Sequence, residues 1–402
     1  MLIVGLAIGF AMSMAIGAND VANSMATAVG AKAITPKQAV IIAGILEFVG
    51  ATFFGQQVTD TIRKGIINLD MLNNPNIVII GSMAALIGAT IWLIIATYFK
   101  WPVSTTHAIV GGMIGYGIAA GGFGVVHWNK VISISLSWLI SPLLGLGIAF
   151  ILFKAVSATT LKGKNLDKKI KIWVPFYLGL AFMIIGLSFV TKALHLKAEL
   201  KTIILAVLFG VLGGIISYLY VVISVKKANK KPSEYVETIF KKSQVITSCY
   251  VALAHGANDV ANAIGPVAAI YAATVSGKVG SQVEIPRIIL AVGGIGIALG
   301  VAIWGSRVMK TVGSDITELN NSRGFTIDFA TATTVLGASS LGFPISSTHT
   351  VVGSVMGVGL ARGIGSVNTG IIKDIFLSWI LTVPAASAVS VVMFWILKGI
   401  FL

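Results

Sequence analysis

Long runs of apolar residues, separated by short polar connectors, follow one another along the whole chain. Most runs have roughly the 20 residues that a helix needs to cross the bilayer, and the shortest suit half-helices or re-entrant pieces. The pattern therefore predicts an all-α polytopic membrane protein with about twelve transmembrane segments. The apolar stretches cover residues 2–30, 38–56, 77–99, 104–124, 130–153, 172–191, 200–225, 243–273, 286–308, 326–342, 345–361 and 370–398.

Composition supports the same class. Hydrophobic residues make up 56% of the chain and charged residues 11%, whereas a soluble domain carries about 25% charged residues. The net charge of +15 lies in short connectors between apolar runs, so we expect it to set membrane orientation and expect no nucleic-acid partner. Cys249 is the single cysteine, which excludes an intramolecular disulfide.

Two connectors, 154–171 and 226–242, carry the most lysines. Short basic connectors stay in the cytoplasm, so we expect both on that side, and the two runs between them agree with this. Counting five runs back from residue 154 places the N-terminus outside, and an even total places the C-terminus outside as well. The sequence predicts a multi-pass protein of the plasma membrane (the inner membrane of a bacterial cell) with both termini extracytoplasmic.

Two polar motifs occur twice. The heptamer Gly17–Asn23 (GANDVAN) returns letter for letter at Gly256–Asn262, an offset of 256 − 17 = 239. Farther along, Pro102–His107 (PVSTTH) matches Pro344–His349 (PISSTH), an offset of 344 − 102 = 242. Matched polar motifs in two apolar halves predict a transporter built from a duplicated unit.

The offsets divide the chain into three parts. Residues 1–153 form the first repeat, residues 154–242 form two linking spans and a basic cytoplasmic loop, and residues 243–402 form the second repeat. The first copy begins outside and the second begins inside, so the repeats are expected to have inverted topology.

The heptamer places a carboxylate and two carboxamides inside an apolar run. An aspartate in mid-membrane costs roughly 2.5–3.5 kcal/mol on insertion scales, so a purely structural hydrogen bond explains poorly why both copies contain one. Carboxylate and amide oxygens suit a small hard cation such as Na⁺, and Gly17 and Gly256 are expected to let the helices break there and free backbone carbonyls. The predicted Na⁺ ligands are Asp20, Asn19, Asn23, Asp259, Asn258 and Asn262.

The second motif has the features of a helix start, because proline and a Ser/Thr N-cap precede an apolar run. A helix N-terminus offers free N–H groups and partial positive charge, and the hydroxyls add donors, so we expect two anion sites. Ordinary Ser/Thr packing between helices is the alternative. Cations bound nearby would balance the anion, which is the physical basis of symport. The predicted anion ligands are Asn23, Ser104, Thr105, Thr106, Asn262, Ser346, Ser347 and Thr348.

Together the motifs resemble the signatures of the inorganic phosphate transporter (PiT) family across both halves. The resemblance implies Na⁺- or H⁺-coupled uptake of inorganic phosphate through an inverted-repeat fold, with the motif residues above as the functional ones. It also marks Glu47 and Asp328 as family-like acids. The resemblance is to a compact, prokaryotic-type member that lacks a long hydrophilic central domain.

Other residues have several explanations. Glu47 is interpreted as a cation ligand, a gate or a buried partner of a lysine. His107 and His349 directly follow the helix starts, where packing, capping and proton transfer all remain open. Trp138 is predicted to anchor its helix at the membrane interface.

Functions of two other classes explain the motifs less well. An intramembrane aspartyl protease also has two aspartates, but it explains neither the identical heptamers nor the hydroxyl motifs; a channel explains the repeat less well than a carrier. We therefore expect no enzyme and no cofactor, with phosphate, co-transported sodium ions and the lipid bilayer as partners. Proton coupling and sulfate or another tetrahedral oxyanion remain open, and a homodimer is compatible with such a carrier.

Overall fold

The structure, a computed structural model, describes residues 1–72, 74–163, 165–193, 199–227, 232–279, 284–305, 309 and 316–402. Within these ranges the chain forms thirteen α-helices joined by short turns. They are α1 (Leu2–Gly30), α2 (Pro36–Phe54), α3 (Gln56–Gly65), α4 (Pro75–Tyr98), α5 (Thr105–Gly121), α6 (Trp128–Val156), α7 (Leu166–Ser188), α8 (Leu200–Lys227), α9 (Pro232–Ser276), α10 (Arg287–Trp304), α11 (Asn321–Ser340), α12 (Ser347–Arg362) and α13 (Thr369–Phe401).

Each predicted apolar stretch overlaps one of these helices, and only the short polar helix α3 lies outside them apart from its first residue. Eight helices of the described part are long and apolar enough to cross a membrane. The chain is therefore a multi-pass membrane protein made of helices. The count of twelve spans stays a prediction, because four of the helices form hairpins.

The first hairpin consists of α4 and α5. Gly112 of α5 packs directly against the backbone of Ala85 in α4. At the outer ends, the N–H of Asn68 before α4 donates to the carbonyl of Val125 after α5, at 2.8 Å. The two helices thus begin and end on the same side of the molecule, as a re-entrant pair does.

The second hairpin consists of α11 and α12, and its two outer ends also lie together. Its outer ends are joined by Thr317, whose hydroxyl donates to the carbonyl of Ser366 at 2.7 Å. Asn320, the N-cap of α11, donates from Nδ2 to Glu237 near the start of α9, at 3.1 Å. This hairpin therefore opens on the side where α9 begins.

Contacts between helices fix their directions. Met12 and Asn19 of α1 contact Thr90 and Thr97 of α4, so α1 and α4 run parallel. Gly5 and Gly9 of α1 pack against Ile270 and Val267, so α1 and α9 run antiparallel. The two hairpins consequently open on opposite sides, and their tips meet in the middle.

The same argument places the chain ends. Trp92 and Gly88 of α4 contact Thr382 and Ser390 of α13, which makes α13 antiparallel to α4. The end of α13 therefore lies on the side where α1 begins.

The expectation that the helices break at the repeated glycines is wrong. Both α1 and α9 continue without interruption through the two heptamers. A Cβ on Gly17 would overlap the carbonyl oxygen of Ile297 in α10, and one on Gly256 would overlap the carbonyl oxygen of Glu47 in α2. The glycines are thus required for close helix packing, and no backbone carbonyl is freed there.

The expectation of a polar loop over 226–242 also needs correction. Lys230 and Lys231 lie outside the described residues, but α9 already begins at Pro232. Val236, Ile239 and Phe240 repeat at helical spacing and are buried in a cluster with α7. Helix α9 therefore begins before the apolar run, because the segment between the lysines has apolar residues at helical spacing. The hydroxyl of Tyr235 donates to Asp167, so the starts of α7 and α9 lie together.

Candidate functional site

The two heptamer aspartates lie next to each other in the centre of the fold. Asp20 on α1 and Asp259 on α9 are completely buried. The hydroxyl of Thr105, at the start of α5, lies 2.8 Å from Asp20 Oδ2 and 3.3 Å from Asp259 Oδ1. One hydroxyl has a single proton to donate, so two buried carboxylates compete for it. Such a pair of like charges favours a bound cation.

The last asparagine of each heptamer reaches across to the other repeat. Asn23 Nδ2 lies 2.9 Å from Thr348 Oγ1 of the second repeat. Asn262 Nδ2 lies 3.0 Å from Thr105 Oγ1 and 3.2 Å from Thr106 Oγ1 of the first repeat. Each carboxylate–carboxamide group is therefore assembled with the hydroxyl motif of the opposite half.

The prediction that both hydroxyl motifs begin a helix is confirmed. Ser104 caps α5, its oxygen accepting from the N–H of His107 at 3.2 Å. Ser346 caps α12 in the same way, accepting from the N–H of His349 at 3.1 Å. These two hydroxyls serve their own helices, whereas the next one, Ser347 Oγ, lies 3.4 Å from the Nδ2 atom of the first heptamer's last asparagine.

The two helix starts are bonded tip to tip. Thr106 donates its hydroxyl to the carbonyl of Ile345, at 3.1 Å. Reciprocally, Thr348 donates to the carbonyl of Val103, at 3.2 Å. The hydroxyls of Thr105 and Thr348, one from each helix start, also lie 2.8 and 3.4 Å from the carboxylate of Asp20, and a negative charge is favoured near a helix N-terminus.

Asn19 and Asn258 form hydrogen bonds with residues at the tips of the two hairpins as well as lying beside the aspartates. Asn19 Nδ2 donates to Thr97 Oγ1 at 3.0 Å, and Asn258 Oδ1 accepts from Ser339 Oγ at 3.2 Å. Asn258 Nδ2 also donates to the carbonyl of Ile345, at 3.0 Å. Asn19 Oδ1 has no hydrogen-bond partner among the described residues, which leaves it available to a ligand.

His255 is a member of the site that the sequence analysis missed. Its Nε2 lies 3.2 Å from Asp259 Oδ2 and 3.7 Å from Asp20 Oδ2, and its Nδ1 lies 3.2 Å from Glu47 Oε1. The counterpart in the first repeat is Ile16 (255 − 239 = 16), so comparison of the two copies drew no attention to it. A histidine one turn before an intramembrane aspartate was the available signal.

Glu47 belongs to the same cluster. Its Oε1 accepts from Ser24 Oγ at 2.9 Å and faces His255, and its Oε2 has no hydrogen-bond partner in the described part of the chain. Its titratable neighbour is therefore a histidine, and no lysine pairs with it in the described part of the chain.

Asp328 lies apart from this cluster. Its carboxylate accepts from Thr27 and from Ser248, each at 2.5 Å, and so bridges α1 and α9. Thr27 is seven residues beyond Asp20, about 10 Å along a helix. Asp328 thus forms a second, smaller polar group between the aspartate pair and the side where α9 begins.

The chain is similar to known proteins over nearly its whole length. The model of a family described as "Phosphate transporter family" matches residues 16–390. A Pyrococcus furiosus protein, provisionally named a phosphate permease, is 56% identical over 395 residues, which cover 98% of this chain and 95% of that one. The Arabidopsis thaliana "Inorganic phosphate transporter 2-1, chloroplastic" is 38% identical over 426 residues, covering 98% and 72%. A solved structure titled "The sodium-dependent phosphate transporter" matches with a TM-score of 0.95 and 48% identity, covering 100% of this chain and 99% of that chain.

Proposed function

Because the chain belongs to the phosphate transporter family, as its repeated motifs indicated, we propose that it carries inorganic phosphate together with Na⁺ by alternating access. One observation carries the proposal: the hydroxyl motif of each repeat contacts the carboxylate–carboxamide group of the other in one buried cluster. The similarity to a structure titled as sodium-dependent supports Na⁺ as the coupled ion.

In this proposal the carboxylates of Asp20 and Asp259 hold sodium. The buried oxygens Asn19 Oδ1, Glu47 Oε2 and Asn262 Oδ1 lack hydrogen-bond partners within the described residues. Leaving a buried acceptor unpaired costs about 1–3 kcal/mol. A hard cation with oxygen ligands would remove that cost and the repulsion of the two aspartates together.

Phosphate would take the donors that converge from the helix starts. Thr105 is the coupling element, because its hydroxyl lies within hydrogen-bond distance of both aspartates. A cation bound to those carboxylates would weaken their hydrogen bonds with the Thr105 hydroxyl. The hydroxyl could then donate its hydrogen bond to an anion. Sodium and phosphate would thus raise each other's affinity, as symport requires.

The arrangement of helices supports inverted repeats over 1–153 and 243–402. The equivalent helices α1 and α9 run antiparallel, and the equivalent hairpins open on opposite sides. Two halves related in this way can exchange conformations about a central site, which is the usual basis of alternating access.

Phosphate uptake into proteoliposomes tests the function. We expect an inward Na⁺ gradient to drive ³²P-phosphate accumulation, with a sodium dependence steeper than first order because two carboxylates bind cations. Parallel vesicles receive Li⁺, K⁺ or pH gradients, and sulfate is added as competitor. Accumulation that sulfate abolishes, or that needs no sodium, would contradict the proposal.

Proton coupling is the second candidate, and His255 favours it. This imidazole touches Glu47 and Asp259 and approaches Asp20, so a proton-binding group lies where the cation is expected. If protons drive uptake, a pH gradient suffices and His255→Gln abolishes it. If sodium drives uptake, His255→Gln changes sodium affinity while the gradient requirement stays.

Topology is a separate prediction. We expect both chain ends outside and the start of α9 in the cytoplasm of a cell's plasma membrane, because the lysine bias and the helix directions agree. In a Cys249→Ser background, Leu402→Cys should react with an impermeant thiol reagent in intact cells, and Lys241→Cys should react only after permeabilisation. Labelling of both cysteines from one side would exclude the inverted arrangement.

Dimerisation also stays a prediction, and the mass of the purified protein in solution tests it.

A further inference from the structure

Four aromatic rings form a continuous row of ring contacts next to the two helix starts, with the two histidines meeting edge to face and only His349 and Trp379 stacked. In order they are Trp138, His107, His349 and Trp379, and the distances between successive ring centroids are 3.7, 4.4 and 3.5 Å. We call this group the ring ladder. All four side chains are buried, so the expectation that Trp138 anchors its helix at the membrane interface is wrong.

The ladder has its own internal repeat. Leu136–Trp138 (LSW) in α6 recurs letter for letter as Leu377–Trp379 in α13, an offset of 379 − 138 = 241. The outer rings therefore come from equivalent helices and the inner rings from equivalent motifs. The ladder crosses from one repeat to the other between its two histidines.

Polar contacts tie the ladder to the backbone of both repeats. His349 Nδ1 lies 3.2 Å from the carbonyl oxygen of Trp138. That carbonyl is free because residue 142, which would normally donate to it within α6, is Pro142 and has no N–H. Histidine supplies the missing partner, which phenylalanine would not.

Trp379 makes a contact that Trp138 lacks. Its indole Nε1 donates to the carbonyl of Pro102, the first residue of the first hydroxyl motif, at 3.2 Å. The indole nitrogen of Trp138 has no hydrogen-bond partner among the described residues. The two tryptophans are thus sequence equivalents that differ in one hydrogen bond to a helix start.

The ladder can set the positions of the Thr106 and Thr348 hydroxyls, although its own rings are not among the predicted ligands. His107 and His349 directly follow Thr106 and Thr348, and their backbone N–H groups are held by the capping serines. A shift of either ring therefore moves the helical turn that carries the neighbouring threonine.

We propose that the ring ladder positions the two helix starts for phosphate, with His349 and Trp379 as positioning residues that act through Thr106 and Thr348. The inference rests on the proposed function, since it concerns the affinity for phosphate. It goes beyond that function by assigning a role to residues outside the ion and anion cluster.

The test compares the same substitution at equivalent positions. Trp379→Phe and Trp138→Phe each keep an aromatic ring on a histidine, but only Trp379→Phe leaves the Pro102 carbonyl without its donor. We expect Trp379→Phe to raise the phosphate KM about five- to tenfold and Trp138→Phe to change it less than about twofold. Maximal uptake rate should match between the two variants.

The affinity is also measured directly, by calorimetric titration with phosphate at saturating Na⁺. If Trp379→Phe does not fold, His349→Phe replaces it, because this change keeps an aromatic ring in the ladder and removes the partner of the Trp138 carbonyl. Equal phosphate affinities in the tryptophan variants, or a change confined to maximal rate or stability, would overturn the ladder's role. Wild-type protein that neither binds nor transports phosphate would instead refute the proposed function.

Discussion

Asp20→Asn and Asp259→Asn should each lower sodium-dependent phosphate uptake at least tenfold while the amount of membrane-inserted protein stays at the wild-type level. The two carboxylates share the hydroxyl of Thr105 and lie in one buried cluster, so either change removes a charge that the bound cation needs. Losing one hydrogen bond to a charged partner already costs about 1.5–3 kcal/mol. Uptake at several sodium concentrations, in reconstituted vesicles of equal protein content, measures the effect.

Asp374→Asn is the matched control, because it makes the same change at an exposed position on α13. An intramembrane aspartate costs roughly 2.5–3.5 kcal/mol on insertion scales, so its replacement eases insertion and lost activity cannot be assigned to failed assembly. Sodium dependence that is unchanged in both site variants would place the cation elsewhere.

Thr106→Val and Thr348→Val should each weaken phosphate binding about ten- to a hundredfold. Valine keeps the shape of threonine but deletes a hydroxyl donor, and a hydrogen bond to a charged group contributes about 1.5–3 kcal/mol. Because the two residues make reciprocal contacts at the two helix starts, the effects should be similar in size. Titration with phosphate at saturating Na⁺ gives the affinities directly.

Both valine variants should also show a lower apparent sodium affinity at fixed phosphate, since coupling between two ligands is reciprocal. Thr334→Val serves as control, because the hydroxyl of this buried threonine donates to the carbonyl of Ala330 in its own helix. If phosphate affinity fell equally in all three variants, the hydroxyl motifs would be packing elements and not an anion site.

The sequence alone was sufficient for the class, the family and the positions of most helices. Apolar run length follows from bilayer thickness, so the predicted stretches overlap twelve of the described helices. The two polar motifs were visible because each occurs twice in an apolar surrounding where polar residues are costly. Their roles as ligands of sodium and phosphate stay predictions.

Matching the two copies of each motif cannot identify a functional residue that has no counterpart in the other repeat. His255 corresponds to Ile16, so the duplicated pattern drew no attention to it, and only helix packing brings it to Glu47, Asp20 and Asp259. The ring ladder was hidden for a related reason. Its members come from four helices, and no spacing along the chain shows that their rings contact one another.

The glycines of the heptamers show that residue type alone does not predict whether a helix breaks. A glycine within an apolar run is compatible both with a broken helix and with close packing, and the choice depends on what lies opposite. The carbonyls of Ile297 and Glu47 lie against Gly17 and Gly256, so packing decides and the helices stay intact. The sequence by itself thus determined which segments are apolar and helical and which polar groups they carry. Only the tertiary structure decided that the motifs of opposite repeats cross to share one site, because that depends on contacts between residues more than 150 positions apart along the chain.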